Sequence, residues 1–178
     1  MAKEVRFNVK RPSYESIVNH HEVVRDSLIN YFSEDNPDNI GFTPGELNGL
    51  IEENQLAQEK QDSLALLAFL EATFRVDYIS RKRLKLKDSL SKSLIKIFNR
   101  KRYRAALVDD IIKTWLRVGT INHSENQRIN ESMQVRHWLA HGQYWARDGV
   151  VYKDFYDIAT LVEGLINSKV FQVAPDEG

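Results

Sequence analysis

The chain has 178 residues, 42% apolar and 28% charged, the balance of an ordinary globular domain with enough length for a core. It has no cysteine, which excludes a disulfide framework and any thiolate nucleophile or metal ligand, and fits a reducing compartment. Its formal charge is zero, with 25 basic residues against 25 acidic, which excludes a uniformly basic nucleic-acid binder.

Neutrality averages two opposed stretches. Between Glu22 and Asp62, ten acids face only Arg25 and Lys60. Between Arg75 and Arg104, twelve basic residues face only Asp77 and Asp88. The N-terminus, Met-Ala-Lys-Glu-Val-Arg-Phe, has no apolar signal core, and the longest apolar cluster, Leu64 to Leu70, is far short of a membrane span. A cytoplasmic protein with no membrane partner is expected.

In chain order, residues 1–12 alternate Val5, Phe7 and Val9 before Arg11-Pro12 and read as an extended arm. Residues 13–172 read as one helical domain, and 173–178 as a frayed tail. Ser13 caps a first helix to about Phe32, with Ile17, Val24, Leu28 and Tyr31 on its apolar side. His20 and His21 lie in it as solvated or boundary residues. Residues 33–41 form a polar loop rich in Asn, Asp and Pro. Thr43-Pro44-Gly45-Glu46 is a start signal, with Thr as cap, Pro first and Glu third. It opens a short second helix to about Gln58.

From about Asp62, the spacing of Leu66, Leu67, Leu70 and Phe74 predicts a strongly apolar third helix, the central one. Glu71 and Arg75 stand four apart on it, in the favourable order for an intrahelical ion pair. The other reading makes the pair orient a catalytic side chain on a facing helix, or touch phosphate. The basic stretch, about 75–104, carries Leu84, Leu86, Leu90, Leu94, Ile97 and Phe98 at helical intervals. It reads as an insertion hairpin or an amphipathic helix with a cationic face. That face is either merely solvated, a rim following an RNA backbone, or a dock for an acidic partner.

Leu107, Val108, Ile111, Ile112, Trp115 and Leu116 predict a further helix stopped at Gly119. Thr120 to Asn130 is polar and reads as a loop containing His123. The next helix carries Ile129 and Met133 on one face and then Gln134-Val135-Arg136-His137-Trp138-Leu139-Ala140-His141-Gly142-Gln143-Tyr144-Trp145, the densest chemistry in the chain. Gly142 is the expected left-handed stop, so His141 falls in the last turn, where the helix dipole favours a cation. An Asp-Gly turn between Trp145 and Tyr152 predicts a small β-hairpin near 145–152. Asp154 caps a last helix with Phe155, Ile158, Leu161, Val162, Leu165 and Ile166. The sum is an all-α bundle of about six or seven helices.

Arg136-x4-His141, with the polar His137 directly after the arginine and Trp138-Leu139-Ala140 before the second histidine, resembles the signature of the HEPN superfamily. Those are compact all-α domains, many of them metal-independent ribonucleases of toxin–antitoxin and phage-defence systems. The continuation Gly142-Gln143-Tyr144-Trp145 resembles a bacterial subgroup. The resemblance implies a homodimer whose two Arg/His sets line one cleft and cut RNA by attack of its own 2′-hydroxyl on the adjacent phosphorus. It implies no cofactor or metal, and an antitoxin or defence-system protein as partner. His141 would be base or acid, Arg136 the clamp on the phosphorane, and His137 an orienting or supplementary donor. Tyr144, Glu71, Arg75, Arg81 and Arg83 would bind RNA or orient the site. In some toxins of the superfamily a Tyr two residues after the motif histidine is modified by nucleotidyl transfer; Gln143 stands there, and Tyr144 comes one later.

Other uses of the motif stay open. His137 and His141, four apart, are spaced to share a metal, although the glutamate of a His-Glu-x-x-His motif is missing. Arg136 and His141 also suit helix-end capping, and Trp138 and Leu139 suit a core or interface. The rival function is a catalytically silent helical module that binds RNA, a nucleotide or a protein.

Overall fold

Five short polar side chains set the helix starts. Ser13, Thr43, Asp88, Asn122 and Asp154 each hold extended backbone and accept a hydrogen bond from the N–H three residues on. Such a cap satisfies one of the four orphan donors of a helix and stabilises it by about 1 kcal/mol. At Thr43 and Asn122 the third helical residue, Glu46 or Glu125, reciprocates to the cap's own N–H. The computed structural model describes residues 12–141, 153–168 and 170–172. Over these, the chain forms α1 (Tyr14–Tyr31), α2 (Pro44–Arg83), α3 (Ser89–Lys101), α4 (Lys113–Val118), α5 (His123–Ala140) and α6 (Phe155–Asn167). No strand occurs among the described residues, and no helix there is long and apolar enough to cross a membrane. The hairpin expected at 145–152, the tail and all of the extended arm except Pro12 lie outside the described residues.

The structure corrects the sequence reading in three places. The expected second and third helices are one helix of 40 residues, α2. Nothing between Gln58 and Asp62 stops it: Glu59-Lys60-Gln61 are all good helix formers with no Gly or Pro. The loop expected over Thr120 to Asn130 is instead the first turns of α5, launched by the Asn122–Glu125 box. The helix expected from Leu107 begins as a π-helical segment, Leu107–Ile112, in which the Ile111 N–H reaches back to the Ala106 carbonyl at 3.2 Å. The basic stretch resolves into the end of α2 and the helix α3, joined by a short loop and packed against each other.

Helix α2 is the axis, packed against α1, α3, α5 and α6. Leu66, Leu67, Leu70 and Phe74 are sealed along its second half. Phe74 meets Trp115 and Phe171 edge-on, with ring centroids 5.0 and 5.2 Å away. Truncating one such leucine to alanine costs about 2–5 kcal/mol. His21 is a fourth correction, since it is buried rather than solvated. Its ring stacks on Phe155 at 3.8 Å, and its Nδ1 lies 2.9 Å from Asp62 Oδ2, which also accepts from Gln58. This polar knot joins α1, α2 and α6.

Candidate functional site

The site begins with how α5 divides its faces. Ile129, Ser132, Met133, Val135, Trp138 and Leu139 are buried, so the helix turns that side to the core. Trp138 and Leu139 are core residues, as their type suggested. Arg136 falls at the edge of this face, its side chain 35% exposed, while His137 and His141 are exposed. Helix α5 ends at Ala140, with His141 as its C-cap donating its N–H to the His137 carbonyl at 3.2 Å. Four-residue spacing then brings the two imidazoles into contact, centroids 4.3 Å apart and planes tilted by 57°.

Opposite Arg136 stands Glu71 of α2. One carboxylate oxygen, Oε1, accepts from Arg75 Nε at 2.8 Å, and the other, Oε2, lies 2.9 Å from Arg136 Nε. The Arg136 N–H does not point at that oxygen, so this contact is ionic rather than a hydrogen bond. Arg75 also reaches the Ala105 carbonyl through Nη1, at a long 3.4 Å. The Glu71–Arg75 pair is thus an intrahelical ion pair, and its carboxylate also meets Arg136 of the motif helix. Ion pairs this open to water contribute about 1 kcal/mol or less to stability. Their consequence is positional. One carboxylate between two guanidinium groups leaves a net positive charge, and holding Arg136 by Nε leaves its terminal Nη donors without a partner among the described residues.

Among the sequence candidates, the structure gathers Arg136, Glu71 and Arg75 into one ionic cluster, with His137 and His141 in tilted ring contact at the end of α5. Tyr144 lies outside the described residues. Arg83 is exposed at the end of α2, with no contact to the cluster. Arg81 is a correction. Rather than facing RNA, its guanidinium is buried, bonded to Asp77, Ser91, the Val170 carbonyl and, at 3.3 Å, Asp88, and it sits over the Trp115 ring. A fully buried cation persists only when its donors are satisfied, and here the partners come from α2, α3 and the segment after α6. Sequence reasoning counted Arg81 as surface charge because the flanking Lys82 and Arg83 are basic too.

Among the described residues, no three His, Asp or Glu side chains stand close enough together to hold a metal ion. Two touching imidazoles on the same helix end as a charged guanidinium supply the groups that proton transfer at an anion needs: one that takes a proton, one that gives one, and a cation. Compared with family models, curated proteins and solved structures, the chain gives no match.

Proposed function

We propose that this chain is an endoribonuclease that cleaves RNA without a metal, through Arg136, His137 and His141. The observation that supports this reading is the half-exposed Arg136, held at Nε by Glu71 with no partner for its terminal donors among the described residues, on the same last turns of α5 as two exposed and contacting histidines. In the reaction, the 2′-oxygen bonds to the adjacent phosphorus as one imidazole removes its proton. The bond from phosphorus to the 5′-oxygen breaks, and a protonated imidazole supplies that oxygen with a proton. Arg136 faces the phosphorane oxygens, where charge builds most in the transition state. The products are a 2′,3′-cyclic phosphate and a 5′-hydroxyl; DNA, lacking the nucleophile, is not cut.

The same reading has two copies of the chain pairing so that both sets serve one cleft, with an antitoxin or defence-system protein restraining them. The test is incubation of the purified protein with RNA in excess EDTA, followed by end-group analysis. Cleavage with cyclic phosphate ends is expected, and His141→Ala or Arg136→Ala should each lower it by about 10²–10⁴-fold with circular dichroism unchanged. Intact RNA across varied substrates would overturn the reading and leave a helical binding module. Sedimentation velocity checks the pairing.

A further inference from the structure

The cationic side chains that concentrate on one feature of the surface are not those of the catalytic cluster. Between α3 and the π-helical entry to α4 lies a cleft of about 620 Å³, open along one side. Lys96 and Arg100, four apart on α3, form one wall, and Lys113 and Arg117, four apart on α4, form the other. Asp109 and Asp110 also line it, but both are already engaged. Asp110 accepts from Lys101 Nζ at 2.7 Å and from the Ala106 N–H at 2.7 Å, and Asp109 pairs with Lys113. Among the described residues Lys96, Arg100 and Arg117 make no ion pair within 4 Å, although the charge of Arg100 also helps to hold the Asp110 carboxyl low, and the one bond of the Arg117 guanidinium there is a long one of 3.4 Å to Thr114. The π segment brings Asp109 and Asp110 to the cleft, and such segments are frequent at functional sites.

The cleft also connects with the catalytic cluster. The Ala106 N–H is bound by Asp110 on the cleft floor, and the carbonyl of the preceding Ala105 accepts from Arg75, which shares Glu71 with Arg136. Two facing cationic ridges with a polar floor match a chain of phosphodiesters rather than a single small anion, because the charges are spread along the groove. We infer that the α3–α4 cleft holds the sugar-phosphate backbone of a single strand away from the cleavage point, with Lys96, Arg100 and Arg117 as its phosphate contacts. The inference rests on the ribonuclease reading for the class of strand, and the groove itself stands on its own geometry.

The test uses full-length protein and a fluorescently labelled, mixed-sequence 2′-O-methyl RNA, which this chemistry cannot cut. Affinity is followed by anisotropy across a salt titration for wild type, for Arg100→Gln/Arg117→Gln, and for Lys85→Gln/Lys87→Gln, a charge-matched pair outside the cleft. Cleavage of ordinary RNA is measured alongside. The cleft variant should bind roughly tenfold more weakly and flatten the slope of log K against log salt by about 1.4, at about 0.7 per lost contact on a single strand. It should raise KM and leave kcat near wild type. An unchanged slope, or an equal loss in the Lys85/Lys87 variant, overturns the cleft while intact cleavage keeps the nuclease reading. Strand binding that depends on Arg100 and Arg117 without any cleavage supports the cleft and overturns the nuclease reading.

Discussion

Glu71 decides what Arg136 is able to do. An arginine side chain carries about 2 kcal/mol of rotamer entropy, and a guanidinium that must meet a phosphorane is effective only if that freedom is spent beforehand. Glu71 removes much of it by holding Nε, and Arg75 steadies Glu71 from the neighbouring turn of α2. In the proposed reaction Glu71 would touch no substrate and would act through Arg136 as a positioning residue. Glu71→Gln keeps the shape and removes the charge that anchors both arginines. It should lower kcat by about tenfold with KM little changed, and should cost less than about 1 kcal/mol in chemical denaturation, because these ion pairs are partly solvated. A purely structural Glu71 would show the opposite split, with lost stability and normal turnover. Glu71→Asp, which keeps the charge on a shorter stem, should recover part of the rate.

At the scale of elements, the joints carry the polar specificity. The buried Arg81 joins the end of α2 to the start of α3 and to the segment following α6, and Asp77 on the same helix also accepts the Gln172 N–H at 2.8 Å. Arg81→Ala would strand the Asp77 carboxylate in the interior. The expected cost is about 3–5 kcal/mol in urea unfolding, with RNA affinity of the remaining folded fraction unchanged; a loss under about 1 kcal/mol would show that the joint is incidental. These joints mark where sequence reasoning stopped. Helix starts were legible, because Ser13, Thr43 and Asp154 are local chemistry that acts within three residues. The start of α5 was equally local in Asn122 and Glu125, but the polar composition of the following turns masked it. Charge on a residue is not local in this sense. Nothing near Arg81 or His21 in the chain reveals that Val170 or Phe155 will cover them, so both read as surface groups. Glu71 and Arg75 were legible as a pair by spacing, while the meeting of Glu71 with Arg136, 65 positions away, required the packing of α2 on α5.

Over the whole molecule, acid and base are laid out along one axis. Helix α2 alone spans about 60 Å, at about 1.5 Å per residue over its 40 residues, with Glu46, Glu52 and Glu53 near its start and Arg81, Lys82 and Arg83 at its end. The bundle built on it is closed at its corners by carboxylates. Asp110 ties Lys101 at the end of α3 to the π segment, and Lys101 together with the Ala106 N–H holds its carboxyl below the ordinary 3.8. Glu131 ties α5 to Lys153 at the entry to α6, and bonds from Gln127 and Lys153 hold it below the ordinary 4.5. A carboxyl depressed in the folded state contributes stability that is complete above its unfolded value and lost as pH falls through its folded value. The stability that Asp110 and Glu131 contribute should therefore be complete from neutrality to about pH 5 and be lost progressively below about pH 4, while Asp77, raised by burial, works in the opposite sense. Asp110→Asn removes one of these groups: it should melt lower than wild type at pH 7, and its curve should converge on wild type as both are acidified. Melting curves from differential scanning calorimetry that stay parallel down to the acid transition would show that Asp110 closes no corner. Convergence would show that the Asp110 carboxylate stabilises the joint between α3 and the π-helical entry to α4, and with it one end of the cationic cleft.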